Sequence, residues 1–423
     1  MNQISLLIAL IVYRLAYDLC YVNIFPSHEY NGIELDISTF NYIVSLVSIA
    51  IIPFTISFKS RILPSKIFIM TYIFLFLIPL SSYFALANQS LVFYLWCVFF
   101  LILLGSLTQK ALIISSSPGI VLVLTRFIPI ILIVVSFLVV LFANGVPSLT
   151  ALNFMNVYTV RSEFNSSIFI EYISSASIYF ALPIMLSMAI LNKKYLLSVF
   201  LCLIWTWLFL SSGGRLTFIF LLLTIYLCIA IKFVRIENAL PIAFAGCIFL
   251  SILEMLLIET TIFAHFGFYR SLIVPSWLSF EYFNYYDVRE KLFFAEQFPS
   301  LMNNSINETN SALDVGAHLF GATSETWANV GMMGYAFANL SYLGILELLL
   351  LAPVLRILDG CYMNLKFSYE RLSLCVYIAI ISMYAHSTNI YNLFATRTLF
   401  IGTLFFIILG IYRSSYLNHA KSI

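Results

Sequence analysis

About twelve apolar segments, each close to 20 residues long, follow one another along this 423-residue chain. An α-helix of about 20 residues spans the hydrocarbon layer of a bilayer, and its backbone polar groups are satisfied internally. Only 9% of the residues are charged, against about 25% in soluble domains. The sequence therefore predicts an all-α polytopic membrane protein, and it excludes a soluble enzyme, a secreted disulfide scaffold and a disordered tail.

The twelve predicted spans lie near residues 4–23, 39–58, 67–87, 91–108, 120–142, 167–191, 195–211, 215–231, 239–258, 328–355, 372–390 and 398–412. Together they make residues 1–423 a single integral membrane domain. The N-terminus has no basic region and no small-residue cleavage site, so we expect the first span to be retained. The segment 328–355 is longer than a bilayer requires and is predicted to tilt or break near Gly331 and Gly334.

The basic residues orient these spans. With the N-terminus in the cytoplasm, 13 of the 21 basic residues fall in inner segments, and eight of those 13 are lysines. Inner segments carry the excess of Lys and Arg in membrane proteins. Both termini are therefore predicted to be cytoplasmic. Two long segments, 143–166 and 259–327, are predicted to lie on the outer side.

Eight basic residues remain outside or within spans, and seven of them are arginines. They are Arg14, Arg126, Arg161, Arg215, Arg270, Arg289, Lys291 and Arg397. The guanidinium fork binds phosphate oxygens in pairs and is always charged. The pattern predicts recognition of an anion on the outer side. The net charge of only +2 gives no indication of a nucleic-acid partner.

The segment Ser211-Ser212-Gly213-Gly214-Arg215 joins two spans by a turn of a few residues. Glycine permits so tight a reversal. Arg215 then begins a helix, where its charge opposes the helix dipole but where backbone N–H groups also bind anions. A phosphate ligand would compensate for that placement, and Arg397 has a similar position at the start of the last span.

Other ionisable residues in the spans have structural interpretations. Arg14 and Asp18 are one helical turn apart and are expected to neutralise each other. Arg126 can snorkel to the cytoplasmic surface, and His386 is expected to be a hydrogen-bonded structural residue. Three carboxylates near or within spans have no partner that the sequence identifies: Glu171, Glu254 and Glu347.

The second long outer segment combines aromatic residues with charges. Residues 259–299 contain 13 aromatic side chains, a composition that predicts short interfacial helices and rings that can stack on sugars. If residues 318–325 are helical, His318 and Glu325 lie two turns apart on one face, and either could accept a proton from a hydroxyl. Gly331 and Gly334 would allow a close helix approach.

No nucleotide-binding, zinc-protease or serine-hydrolase motif occurs in the chain. The seven cysteines form no CxxC pair and are predicted to be small apolar residues in packed helices, without a disulfide or a metal. Glu34 and Asp36 form a carboxylate pair in the first outer loop. Metal-dependent membrane glycosyltransferases keep a catalytic acid in that loop, so the pair leaves a metal-dependent enzyme as one alternative.

The layout and two local motifs resemble bacterial O-antigen polymerases of the Wzy type, which polymerise oligosaccharide repeat units. The motifs are the turn LSSGGRLTF, which carries Arg215, and ETWANVGMMG, which begins at Glu325. Some members have a glycine eleven residues after an arginine in each long loop. Here Tyr172 follows Arg161 at that distance, and Ser300 follows Arg289.

The resemblance implies a multi-pass glycosyltransferase of the bacterial inner membrane, active at its periplasmic face. It would transfer a growing glycan from undecaprenyl diphosphate to the non-reducing end of a new lipid-linked unit, without cofactor or metal. Its partners would be these lipid-linked oligosaccharides, membrane lipids, a chain-length regulator and a flippase. An O-antigen ligase and a lipid-linked oligosaccharide flippase remain alternatives. Roles follow for seven residues: Arg215, Arg289, Arg161, Arg270 and Arg397 at the diphosphate, and His318 or Glu325 as the catalytic base.

Overall fold

The computed structural model describes residues 3–24, 33, 35–56, 58, 61–114, 127–152, 156–165, 167–257, 264–296, 310–321 and 326–421. The helices are α1 Gln3–Ile24, α2 Thr39–Thr55, α3 Leu63–Leu86, α4 Leu91–Leu107, α5 Ile128–Asn144, α6 Val157–Glu163, α7 Ile168–Leu191, α8 Tyr195–Ser212, α9 Arg215–Ala230, α10 Ile236–Leu257, α11 Val274–Asp287, α12 Ser311–Phe320, α13 Met332–Leu340, α14 Gly344–Leu348, α15 Leu351–Asn364, α16 Ser368–Ala385, α17 Ile390–Phe394 and α18 Leu399–Lys421. Short 3₁₀ turns occupy Leu149–Leu152 and Ser341–Leu343. Within these ranges the only β contact is an isolated bridge between Asp36 and Ala87.

Seven helical stretches among the described residues are long and apolar enough to cross a membrane, and four shorter apolar helices accompany them. Each of the twelve segments predicted from hydropathy overlaps one of the helices. The prediction of an all-α membrane protein with several spans is therefore confirmed. All seven cysteines are free thiols.

Helix α3 is the centre of the bundle. Every residue from Ile67 to Leu86 is buried, and the helix packs against α10, α15 and α16. One of its hydroxyl groups, Ser81 Oγ, donates to the carbonyl of Ile78 over 2.7 Å, within the same helix. A polar side chain bonded to its own helix costs little in an apolar interior.

The predicted ion pair in α1 is confirmed. Arg14 Nε lies 3.0 Å from Asp18 Oδ1, and the Arg14 side chain is fully buried. Arg14 also donates to Ser45 Oγ, and Asp18 accepts from Tyr42 and Ser82. A charge pair within the apolar region persists only when it is matched and hydrogen-bonded in this way.

The long segment 328–355 is interrupted at two places, before Met332 and after Leu340. Helix α13 begins only at Met332 and ends at Leu340, where Ser341 adopts a positive φ of 54°. Gly331 allows the backbone to pass close to His386, because a Cβ there would lie 2.3 Å from the carbonyl oxygen of His386. The helix of this segment thus begins only after Gly331, continues through Gly334, and is interrupted again at Ser341–Leu343, a break that the sequence did not predict.

The aromatic part of the second long segment lies inside the protein. A π-helical stretch, Ala264–Ile273, leads into α11, and Trp277, Phe280 and Tyr282 are at most 2% exposed. These rings pack on neighbouring helices, as Phe280 does against Phe93 with ring centroids 5.2 Å apart. They are core side chains, not interfacial anchors, because α11 inserts beside α13 and α3.

Candidate active site

Three of the predicted arginines meet around the turn between α8 and α9. Gly213 adopts a positive φ of 61°, as the predicted tight reversal requires. The Nη2 of Arg161, on α6, donates to the Gly213 carbonyl over 3.3 Å. The backbone of α6 also lies close to this turn, because a Cβ on Gly213 would be 2.8 Å from the carbonyl oxygen of Val157. The first long segment is thus held against the turn that carries Arg215.

Arg215 is the first residue of α9, as predicted, with Gly214 in extended conformation before it. Its side chain is half-buried. One and a half turns further along α9, Phe220 contacts the rings of Tyr179 and Tyr384, with centroids 5.9 and 5.5 Å away. Phe220 therefore joins α9 to the tyrosines that hold the third arginine, and Arg161, which contacts the turn before α9, acts electrostatically on Tyr384.

The guanidinium of Arg397 lies over two tyrosine rings. Its Cζ is 5.1 Å from the centroid of Tyr179 and 4.6 Å from that of Tyr384. The two tyrosine hydroxyls are hydrogen-bonded to each other at 2.8 Å. Cation–π contacts of this kind contribute about 2 kcal/mol when they are desolvated. We call Arg161, Arg215, Arg397, Tyr179 and Tyr384 the arginine cluster.

Unusual backbone conformations fix the position of Arg397 and its partners. Thr398 has a positive φ of 69°, which is rare for a β-branched residue and costs free energy. Tyr377 stabilises this conformation by donating to the Thr398 carbonyl over 2.9 Å. Tyr179 lies in a π-helical turn, Ser177–Ala181, within α7. Strained residues and π-helical turns concentrate at functional sites.

The arginine cluster has the chemistry of an anion site. The buried Nε–H of Arg397 has no hydrogen-bond acceptor among the residues the structure describes. Arg161 is exposed, and both Arg161 and Arg397 act electrostatically on the Tyr384 hydroxyl. Within the described part of the chain, the carboxylate that acts on Arg397 is that of the exposed Glu171. Positive charge in excess, beside two phenol donors, suits an oxyanion or a phosphate group.

Arg289 and His318 lie together in a second group, on other elements. The Arg289 Cζ is 3.6 Å from the centroid of the Tyr285 ring. His318, on α12, also contacts the Tyr285 ring, with ring centroids 5.2 Å apart. Asp314 precedes His318 by one helical turn and interacts with the Arg289 charge. We call Tyr285, Arg289, Asp314 and His318 the histidine cluster.

The histidine cluster contains a carboxylate that the sequence analysis did not select. Burial raises the pKa of the Asp314 carboxyl above its ordinary value, and the Arg289 charge partly offsets that rise. Burial also raises the pKa of Glu296, which accepts a hydrogen bond from the backbone N–H of Ser311 at the start of α12. A carboxylate with a raised pKa, one turn from an exposed imidazole, is a candidate proton acceptor.

Glu325, the other predicted base, lies outside the described residues, as do Glu34 and Arg126. Helix α12 ends at Phe320, and Gly321 adopts a positive φ of 99°. The prediction that residues 318–325 form one helix is therefore wrong, and with it the prediction that His318 and Glu325 share a helical face. Asp36, the partner of Glu34 in the carboxylate pair, accepts a hydrogen bond from Asn88 over 3.1 Å.

Arg270 occupies the π-helical stretch before α11 and is half-buried. The next residue, Ser271, offers a backbone acceptor to the His386 side chain, and the Met383 carbonyl contacts the same ring. His386 is thus a hydrogen-bonded structural residue, as predicted. It fixes the Arg270 segment to the end of α16, two residues beyond Tyr384.

Gly213→Ala tests how the turn holds Arg161. We expect the added methyl group to collide with the Val157 carbonyl and to displace α6, since alanine at this φ already costs about 1 kcal/mol. Trypsin should then cleave the purified protein after Arg161 at least tenfold faster. Gly246→Ala is the matched control, because a Cβ there meets no atom within 4 Å. Equal cleavage of the two variants would contradict the contact.

No protein-family model, curated protein or solved structure matches the chain. A functional assignment therefore depends on the chemistry of the two clusters.

Proposed function

We propose that this protein is a membrane glycosyltransferase that polymerises lipid-linked oligosaccharide repeat units. The donor is a growing glycan on undecaprenyl diphosphate, and the acceptor is the non-reducing end of a new lipid-linked unit. The chain crosses the inner membrane twelve times with both termini in the cytoplasm. The reaction takes place at the periplasmic face, where 143–166 and 259–327 lie.

The single observation that supports this proposal most is the arginine cluster. Arg161, Arg215 and Arg397 come from three distant parts of the sequence and meet at the Gly213 turn and the tyrosine pair. Placing cations in a chain with 9% charged residues is costly unless a ligand uses them. A diphosphate supplies two groups that each accept a guanidinium fork.

The clusters divide the chemistry of glycan transfer between them. As the bond between the sugar and the diphosphate breaks, negative charge develops on the leaving oxygen. Arginines already in place stabilise that charge without reorganisation. The attacking hydroxyl of the acceptor must lose a proton, and His318 or Asp314 of the histidine cluster accepts it. Arg289 and Arg270 hold the diphosphate of the second lipid-linked substrate.

Deletion of the gene tests the reaction class. We expect the deletion strain to make surface polysaccharide that carries a single repeat unit, because units are made and exported but not joined. Gel analysis of the surface polysaccharide shows this as the loss of the ladder above one unit. Core without any repeat unit would point to a ligase or a flippase and would contradict the proposal.

Arg215→Lys tests the diphosphate site. Lysine retains the charge but lacks the fork, so we expect polymerisation to slow by about 100-fold, the effect of losing one oxyanion donor. The measurement is chain length in the complemented deletion strain. Arg235→Lys is the control, because Arg235 is an exposed arginine in the loop after α9, away from the cluster. Unchanged chain length in Arg215→Lys would remove this residue from the site.

Asp314→Asn tests the proton acceptor through pH. A carboxylate accepts a proton only when it is ionised, so the wild-type rate should fall as the pH drops through the Asp314 pKa. Burial raises that pKa, and the fall should begin at a higher pH than for an ordinary aspartate. The variant should lose at least 100-fold in rate, measured in reconstituted membranes.

His318→Gln measured beside Asp314→Asn separates the two candidate bases, since only the loss of the true acceptor removes most of the rate. Glu290→Gln is the matched control, because Glu290 is an exposed carboxylate next to Arg289. Full activity of both Asp314→Asn and His318→Gln at every pH would exclude the histidine cluster as the source of the base.

A further inference from the structure

An apolar groove runs along α8, where this helix meets α5 and α7. It encloses about 510 Å³ and is lined by apolar side chains throughout. Ile133, Val134 and Phe137 form one wall, and Leu201, Ile204 and Trp207 form the other. The groove is open sideways, because Val134 is 49% exposed and Leu203, also on its lining, is 64% exposed. Its interior is therefore accessible to a molecule within the bilayer.

One end of the groove lies near the arginine cluster. Along α8 the lining extends from Leu197 to Trp207, which is about 15 Å of helix. Trp207 lines that end and contacts Phe137, with ring centroids 4.6 Å apart. Gly213, whose carbonyl accepts from Arg161, follows Trp207 by six residues, or about 9 Å along the axis. Helix α8 thus lines the apolar groove and ends at the turn that Arg161 contacts.

The charge at that end selects the occupant. A phospholipid presents one phosphate group, whereas three arginines gather here. A diphosphate carries two phosphate groups and matches them better. We propose that the groove holds the hydrocarbon chain of a long polyprenyl diphosphate whose head group is bound by the arginine cluster. This inference rests on the proposed function and assigns the lipid part of its donor.

The groove acts by packing and not by the hydrophobic effect. A lipid chain is already surrounded by hydrocarbon in the bilayer, so moving it into the groove removes no apolar surface from water. Its gain comes from van der Waals contact and from fixing the chain so that the diphosphate reaches Arg161 and Arg215 in one orientation. Filling the groove should therefore weaken binding of the long-chain ligand and leave binding of the head group alone unchanged.

Val134→Trp tests this assignment with purified protein in phosphatidylcholine nanodiscs. The probes are C55 polyprenyl diphosphate and inorganic diphosphate. We expect the variant to bind the C55 compound at least tenfold more weakly than the wild type and to bind inorganic diphosphate equally well. Leu203→Trp, a second filling variant at an exposed lining position, should give the same result. Unaltered binding of inorganic diphosphate also shows that each variant is folded.

Val199→Trp is the matched control. Val199 lies on the same helix and is 57% exposed, but it does not line the groove. Loss of C55 binding in this control, or full C55 binding in both filling variants, would overturn the assignment. So would equal competition by phosphatidylglycerol, which would show a site for bulk lipid. Because the readout is binding, it separates failure of the groove from failure of the proposed reaction, which the gene deletion tests.

Discussion

The stacking of Arg397 against Tyr179 and Tyr384 ties together three helices that are far apart in sequence. Tyr179 belongs to α7, Tyr384 to α16, and Arg397 precedes α18. The hydroxyl contact between the two tyrosines closes this arrangement. Phe220 then joins α9 to the same rings. Arg215 and Arg161 are connected to this junction through α9, because Arg215 begins that helix and Arg161 contacts the Gly213 turn before it.

Charges in this chain fall into two physical classes. Arg14 and Asp18 neutralise each other within the bundle, and serine and tyrosine hydroxyls complete their hydrogen bonds. Such a pair adds little to recognition, since its field is cancelled locally. The arginine cluster differs because its aromatic neighbours stabilise positive charge without neutralising it. A cation held by π faces keeps its charge available to a third partner, which suits a site that must bind and release an anionic substrate.

Local sequence predicted the features that depend on neighbouring residues. The spans, the pairing of Arg14 with Asp18 and the start of a helix at Arg215 all follow from apolar length, helical spacing and glycine at a turn. Contacts between distant helices could not be predicted in this way. Nothing in the sequence pairs Tyr179 with Tyr384. By contrast, Asp314 lies four residues before His318, and that spacing was visible in the sequence. The burial of the aromatic residues of α11 is also a tertiary effect, because the same composition suits an interfacial helix.

The burial of α3 from Ile67 to Leu86 has a consequence for how the protein is made. Its packing partner α16 is synthesised about 280 residues later, which corresponds to roughly 15 to 60 s at ordinary translation rates. During that interval α3 must rest in lipid, with surfaces that the finished protein never exposes. Its apolar side chains and the hydrogen bond of Ser81 within the same helix make it stable there. Biogenesis therefore includes a late step in which α16 displaces lipid from α3, and the junction at Arg397 forms only after that exchange.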